Sequence, residues 1–249
     1  MRPFRWRLLA AAGMVFLVVV LARFPAPWLK PLLPAAIQCP ALSGSIWSGE
    51  CAQLTVAGTA VGDTAWTLRA APLLRGRVAG SLAVTRPGAH IDTKFELGLG
   101  GSTVLENVHA QVSLVQPLYR DLLPRFSAGD LSVDLARLSL RGKRIREIRG
   151  RIDAHGLVQP GRPPTPLGSY EVRFDSPPQP NGDVVGVVHD LGGPIAFDGT
   201  LKLTPAPGFR LEGRVAARAD ADPSLERTFR FLGTPDADGR RQLAEEGSF

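Results

Sequence analysis

Histidine, cysteine, tyrosine and methionine are all scarce in this 249-residue chain, at four, two, two and two copies. The histidines stand far apart at 90, 109, 155 and 189, and no pair has metal-ligand spacing. His189 and Asp190 are adjacent, but neighbours along a strand point to opposite faces and would not cooperate. Ser43 and Ser48 neighbour glycines without forming a Gly-x-Ser-x-Gly elbow. Gly98–Gly101 precedes no phosphate-binding helix. Asp236-Ala-Asp-Gly lacks the other ligands and the closing Glu of a calcium loop, so it reads as a turn. The expectation is a non-enzyme with no catalytic, cofactor-binding or metal-binding residues.

Long apolar runs are also lacking, with one exception. Leu8–Ala22 is fifteen uncharged residues, with Arg2, Arg5 and Arg7 before it and Arg23 after it. A single run and a mean hydropathy near zero exclude a multi-span transporter. A helix of that length rises roughly 22 Å, and flanking Phe4, Trp6, Phe24 and Trp28 suit membrane interfaces. The basic flank favours a cytoplasmic N-terminus and export of everything after Arg23. A cleavable secretory signal ending near Val20-Leu21-Ala22 is the competing reading, and it exports the chain equally.

What is abundant is turn chemistry. The 27 glycines and 22 prolines approach a fifth of the chain, which suits many short strands rather than a helical bundle. The net charge of +6 is diffuse; its densest run, Arg141–Arg151, has no interleaved aromatics. Nucleic acid is therefore not expected, whereas a membrane leaflet or acidic partners are compatible with the charge.

In chain order, 1–7 is a cytoplasmic n-region and 8–23 a transmembrane signal-anchor helix. Residues 24–40 form a proline-rich linker with a short helical turn near Leu32–Ile37. Cys39 and Cys51 are the only cysteines, and in an exported chain the simplest reading is a disulfide, with free thiols the alternative. A first β module is expected over 41–125. Leu54 and Val56, then Trp66 and Leu68, share faces at period two. Gly58 and Gly62-Asp63 punctuate, and Gly80 marks a possible bulge. Strands continue at 77–85, 91–99 and 103–115. Pro117–Pro124 reads as a short capping helix.

A second β module is expected over 126–249. Its start carries a weak repeat: residues 51–70 align without gaps on 135–154, with identities at 52/136, 54/138, 58/142 and 70/154. Chance similarity between alternating strands is the competing explanation. After a proline-rich loop at 156–168, strands are expected at 169–175, 184–190, 195–203 and 209–216. Asp222-Pro223 opens a helix that Gly233 stops, and the tail after Pro235 is expected to fray. The fold class is thus mainly β, an antiparallel meander or curved sheet of two similar modules, with one anchor helix and few short helices.

The order of several motifs carries a resemblance. Leu42-Ser-Gly-Ser-Ile-Trp-Ser-Gly is followed by Trp66-Thr-Leu and Pro72-Leu-Leu-Arg-Gly. Late in the chain stand Asp190-Leu-Gly-Gly-Pro, Gly199-Thr-Leu-Lys-Leu, Phe209-Arg-Leu-Glu-Gly and Phe231-Leu-Gly-Thr-Pro-Asp-Ala-Asp-Gly-Arg. In order and spacing the chain resembles the protein N family of the bacterial type II secretion system. That resemblance implies an inner-membrane protein with a periplasmic β domain, associated with export of folded proteins and lacking catalytic residues. Its partners would be other secretion components, on the inner-membrane platform or the secretin side, and the inner membrane. Trp47, Gly49 and Trp66 would be structural, with both tryptophans anchoring the first module, and so would Gly192, Gly193 and Pro194. The alternative is a periplasmic trough resembling AsmA-type proteins that handles lipid. An apolar face open to solvent would mark the trough, and a closed core the secretion subunit.

Overall fold

The computed structural model describes residues 13, 20, 23–115, 126–142, 144–204, 208–219 and 221–248. The anchor expected over 8–23 falls, apart from residues 13, 20 and 23, outside the described residues, as does the helix expected at 117–124. Among the described residues no helix is long and apolar enough to cross a membrane. The chain is mainly β, as its turn-rich composition indicates, and divides into two compact units, Met1–Arg86 and Pro87–Phe249.

In the first unit, a 3-10 helix spans Ala26–Leu32. It begins six residues, about two turns, earlier than the sequence suggested. Leu33 precedes Pro34 and is held extended (φ −69°, ψ 137°), which ends the helix at Leu32, the first residue of the expected segment. Strands follow as β1 (Ile37–Gln38), β2 (Ala41–Gly44), β3 (Ser48–Val56), β4 (Thr59–Arg69) and β5 (Arg77–Arg86), all antiparallel to their neighbours. β1 and β2 share one side of β3: Ile37 faces Val56, and Leu42 faces Cys51. The chain steps between them at Cys39-Pro40, and a Cys39–Cys51 disulfide ties that step to β3.

The β3–β4 hairpin turns at Ala57-Gly58, both with positive φ (50° and 81°), which matches the right-handed twist of the strands. Gly62-Asp63 proves not to be a turn. Both residues lie inside β4, where the Asp63 carboxylate accepts the N–H of bulged Gln53 at 2.9 Å. Gly80 makes no bulge against β4, since the β4–β5 register runs unbroken through it. A Cβ there would lie 2.0 Å from the Thr67 carbonyl oxygen.

The second unit is a meander of β6 (Ala89–Gly98), β7 (Ser102–Ser113), β8 (Ala128–Arg141), β9 (Arg144–Gln159) and β10 (Thr165–Phe174), continuing through β11 (Val184–Gly192), β12 (Ile195–Thr204) and β13 (Gly208–Ala217). The short helix α1 (Pro223–Phe229) and a 3-10 turn (Arg230–Leu232) follow, stopped by Gly233 as expected. The tail does not fray. Residues Arg241–Gly247 form β14, paired with β13 from Val215↔Arg241 to Phe209↔Gly247. The proline-rich loop also shrinks, because β9 and β10 pair as far as Gln159↔Thr165. The two segments aligned by the repeat are both hairpins, β3/β4 and β8/β9, and the aligned Gly58 and Gly142 both have positive φ.

Alternation gives the second unit two unlike faces. On one, Val108, Leu135, Ile148, Phe174 and Val184 form a buried cluster, with Phe174 and Val184 each 1% exposed. A second cluster of Val188, Ile195, Phe197 and Val215 is covered by Leu225 of α1. The opposite face carries ion pairs across strands, including Glu106–Arg137–Glu147–Arg149 over β7, β8 and β9. Exposed pairs of this kind add little stability each; their effect is to keep that face wet.

Candidate functional site

Two side-chain clusters contain the residues singled out from sequence. In the first unit, the loop between β2 and β3 is held by Ser45, whose Oγ accepts the N–H groups of Trp47 (3.2 Å) and Ser48 (3.1 Å). Trp66, on β4, donates its indole N–H to the Ile46 carbonyl at 3.1 Å. Its ring lies over Gly49, where a Cβ would come within 2.5 Å of Trp66 Cζ2 and 2.7 Å of the Ser43 carbonyl. Gly49 is therefore required by space. Trp47 is half-buried, and its carbonyl accepts Leu68 N–H at 2.6 Å. Nearby, a cleft of about 370 Å³ is lined by Leu42, Glu50, Cys51, Asp63, Thr64 and Thr85, among others. Gly49→Ala is expected to cost about 1–3 kcal/mol through overpacking. A urea midpoint unchanged from wild type would contradict the contact.

In the second unit, Asp190-Leu-Gly-Gly-Pro194 carries the β11–β12 connection. Gly193 crosses Gly168 so closely that a Cβ would stand 2.6 Å from the Gly168 Cα. Asp190 lies on the apolar face, directly opposite Tyr170. Its carboxylate accepts N–H bonds from Gly192 (3.2 Å) and Phe197 (3.1 Å), and Arg218 donates to it at 2.5 Å. The same guanidinium reaches the Gly193 carbonyl at 2.7 Å. Burial disfavours the Asp190 charge, but the bonds from Arg218, Phe197 and Gly192 prevail and hold its carboxyl below the ordinary range.

Tyr170 donates its hydroxyl to the Leu167 carbonyl at 2.6 Å. Burial, and then the Asp190 charge, push its phenol up to about 12, with Arg218 pulling the other way. A phenol raised in the folded state makes stability fall as pH rises, starting where the unfolded chain ionises. Between about pH 10 and about 12, Tyr170→Phe is therefore expected to lose less stability than the wild type does. Urea titrations across that window provide the check, and parallel slopes would count against it.

Neither cluster presents a nucleophile and base aimed at a shared space. His90, His109 and His189 pair with Asp92, Asp134 and Asp198 respectively. Asp198 is held below the ordinary carboxylate range by His189 first and Arg240 second. His189 and Asp190 do point apart, each to a different partner. Asp236 makes a turn, its Oδ1 accepting the N–H groups of Asp238 and Arg240. Among the described residues no group of three His, Cys, Asp or Glu side chains is placed to hold a metal. Sequence reasoning missed Arg218 and Tyr170, which lie 28 and 20 residues from Asp190 and meet it only through strand pairing.

The family model described as type II secretion system (T2SS), protein N, matches residues 35–244. The chain is 25% identical to a type II secretion system protein N of Aeromonas hydrophila over 252 residues, covering 96% of this chain and 97% of that protein. No solved structure matches significantly.

Proposed function

From its place in the type II secretion system protein N family, to which this chain belongs, we propose that the protein is a non-catalytic component of the machine that exports folded proteins across the outer membrane. Residues 8–23 hold it in the inner membrane with the N-terminus in the cytoplasm, and both β units lie in the periplasm. There it contacts other secretion components, on the inner-membrane platform or the secretin side, through loops and strand edges.

The family match over 35–244 carries this reading. The structure supports it in two ways. The polar clusters are engaged in holding strands and turns together, and the disulfide suits an oxidising compartment. The lipid-trough alternative would need an apolar face open to solvent. Phe174 and Val184 at 1% exposure favour a packed interior instead.

The test is the extracellular protein profile of a strain lacking the gene. Folded exoproteins trapped in the periplasm, and released by the intact chain, are the expected result. Crosslinking from the loop around Trp47 would then name the partner. An unchanged profile would exclude an essential role in secretion and return attention to lipid. A C-terminal topology reporter active in the cytoplasm would refute the proposed orientation.

A further inference from the structure

One end of the first unit differs from the rest of its surface. β3 begins there at Ser48, β4 ends at Arg69 and β5 begins at Arg77. The chain after Arg23 is pinned to the same end. Pro25 bridges Ser45, Ile46 N–H donates to the Phe24 carbonyl at 3.1 Å, and the Phe24 and Trp28 rings meet edge to face at 5.7 Å. Between β4 and β5, a 3-10 turn (Ala71–Arg75) is closed by Gly76, whose N–H returns to the Leu73 carbonyl at 3.0 Å. The turn pushes its side chains outward: Leu74 is 91% exposed and Leu73 44%, with Trp28 at 68%. Arg69, Arg75 and Arg77 flank the turn along the chain and Arg23 precedes Phe24, and all four are exposed. Residues 23–49 and 64–91 contain no Asp or Glu at all.

Exposed leucines and a tryptophan on segments flanked by exposed arginines, with no carboxylate in those segments, match the chemistry of an anionic bilayer surface. Apolar side chains enter the interfacial layer, aromatic rings settle at headgroup depth, and guanidinium groups meet phosphate. The patch is also continuous with the segment that leads out of residues 8–23. We propose that this end of the first unit rests on the anionic inner membrane, with Leu73-Leu74 inserted as a second contact beside the anchor. The contact would fix the orientation of the first unit by adding a second point of attachment beside the single anchor. The inference rests on the anchored reading of residues 8–23.

The test uses the full chain in phosphatidylethanolamine–phosphatidylglycerol vesicles. Leu74→Cys is labelled with an environment-sensitive fluorophore, the native cysteines being closed in their disulfide. Val56→Cys, at the end of β3 opposite Ser48 and likewise exposed, is the control within the same unit. The label at 74 should shift to the blue, lose iodide quenching several-fold and gain quenching from nitroxide-bearing lipids, while that at 56 should do none of these. Arg75→Glu with Arg77→Glu, or vesicles of phosphatidylcholine alone, should abolish the difference. A label at 74 as open to iodide as that at 56, on a chain that resists carbonate extraction, would overturn the inference and leave the anchor standing. A chain that carbonate removes would overturn the anchor instead. Protection appearing only with other secretion components present would assign the patch to a protein and overturn the lipid reading.

Discussion

Asp190→Ala is expected to destabilise the second unit by about 2–3 kcal/mol at neutral pH, the range for losing charge-assisted hydrogen bonds in a mostly buried setting. The side chain of Asp190 is 12% exposed and joins three places: its own turn through Gly192, the start of β12 through Phe197, and the end of β13 through Arg218. Its removal leaves two backbone N–H groups and one guanidinium without that acceptor. Asp190→Asn separates the charge from the shape, because it can still accept the backbone bonds.

The pH dependence has a definite sign. A carboxyl whose pKa lies lower in the folded state contributes stability above its ordinary pKa, and that contribution disappears as pH falls through the folded value. Wild type should therefore lose stability below about pH 4, and Asp190→Asn should lose less of it over the same interval. Urea denaturation at neutral and acid pH tests both points. A variant with wild-type stability at neutral pH would show that the Arg218 pair contributes nothing measurable.

Removing the disulfide should have an effect of similar size at the other end of the chain. Cys39 and Cys51 close a loop with a sequence separation of 12, and a loop of that size stabilises by about 3 kcal/mol in the chain-entropy treatment. Local structure raises the stakes, because β1 has two residues and β2 four, too few to stay paired unaided. Cys39→Ser with Cys51→Ser is expected to release both strands from β3. Amide exchange should accelerate at Gln38 and Leu42 before the β4–β5 pairing responds. Uniform exchange across β1–β5 would indicate that the bond holds the whole unit rather than its first strands.

The fold class was readable because it depends on local signals. Period-two alternation, with glycine at Gly58, Gly101 and Gly142, marks where strands turn, and the backbone there does adopt positive φ. Asp222-Pro223 and Gly233 bracketed a helix for equally local reasons. The disulfide was readable because only two cysteines exist.

Other features looked the same in sequence but meant different things. Gly49, Gly186, Gly199 and Gly213 resemble the turn glycines, yet each lies within a strand beneath an aromatic ring. Phe174 lies over Gly186, and Phe197 over Gly199 and Gly213. Whether a glycine bends the chain or makes room depends on what the neighbouring strand places above it. β14 escaped notice because Arg-Gln-Leu-Ala-Glu-Glu-Gly has little apolar content, while its pairing with β13 uses backbone groups that every residue carries.

By itself the sequence determined the β class, most of the turns, the single apolar run and the family to which the chain belongs. These follow from periodicity, from backbone restrictions at glycine and proline, and from the order of short motifs. Only the tertiary structure decided that Asp190 meets Arg218 and Tyr170, that Trp66 needs a glycine opposite it, and that Leu74 stands in solvent. The first two are meetings of residues far apart in the chain, governed by strand register, and register emerges only when the sheet is assembled; the third is set by the 3-10 turn that turns Leu74 outward.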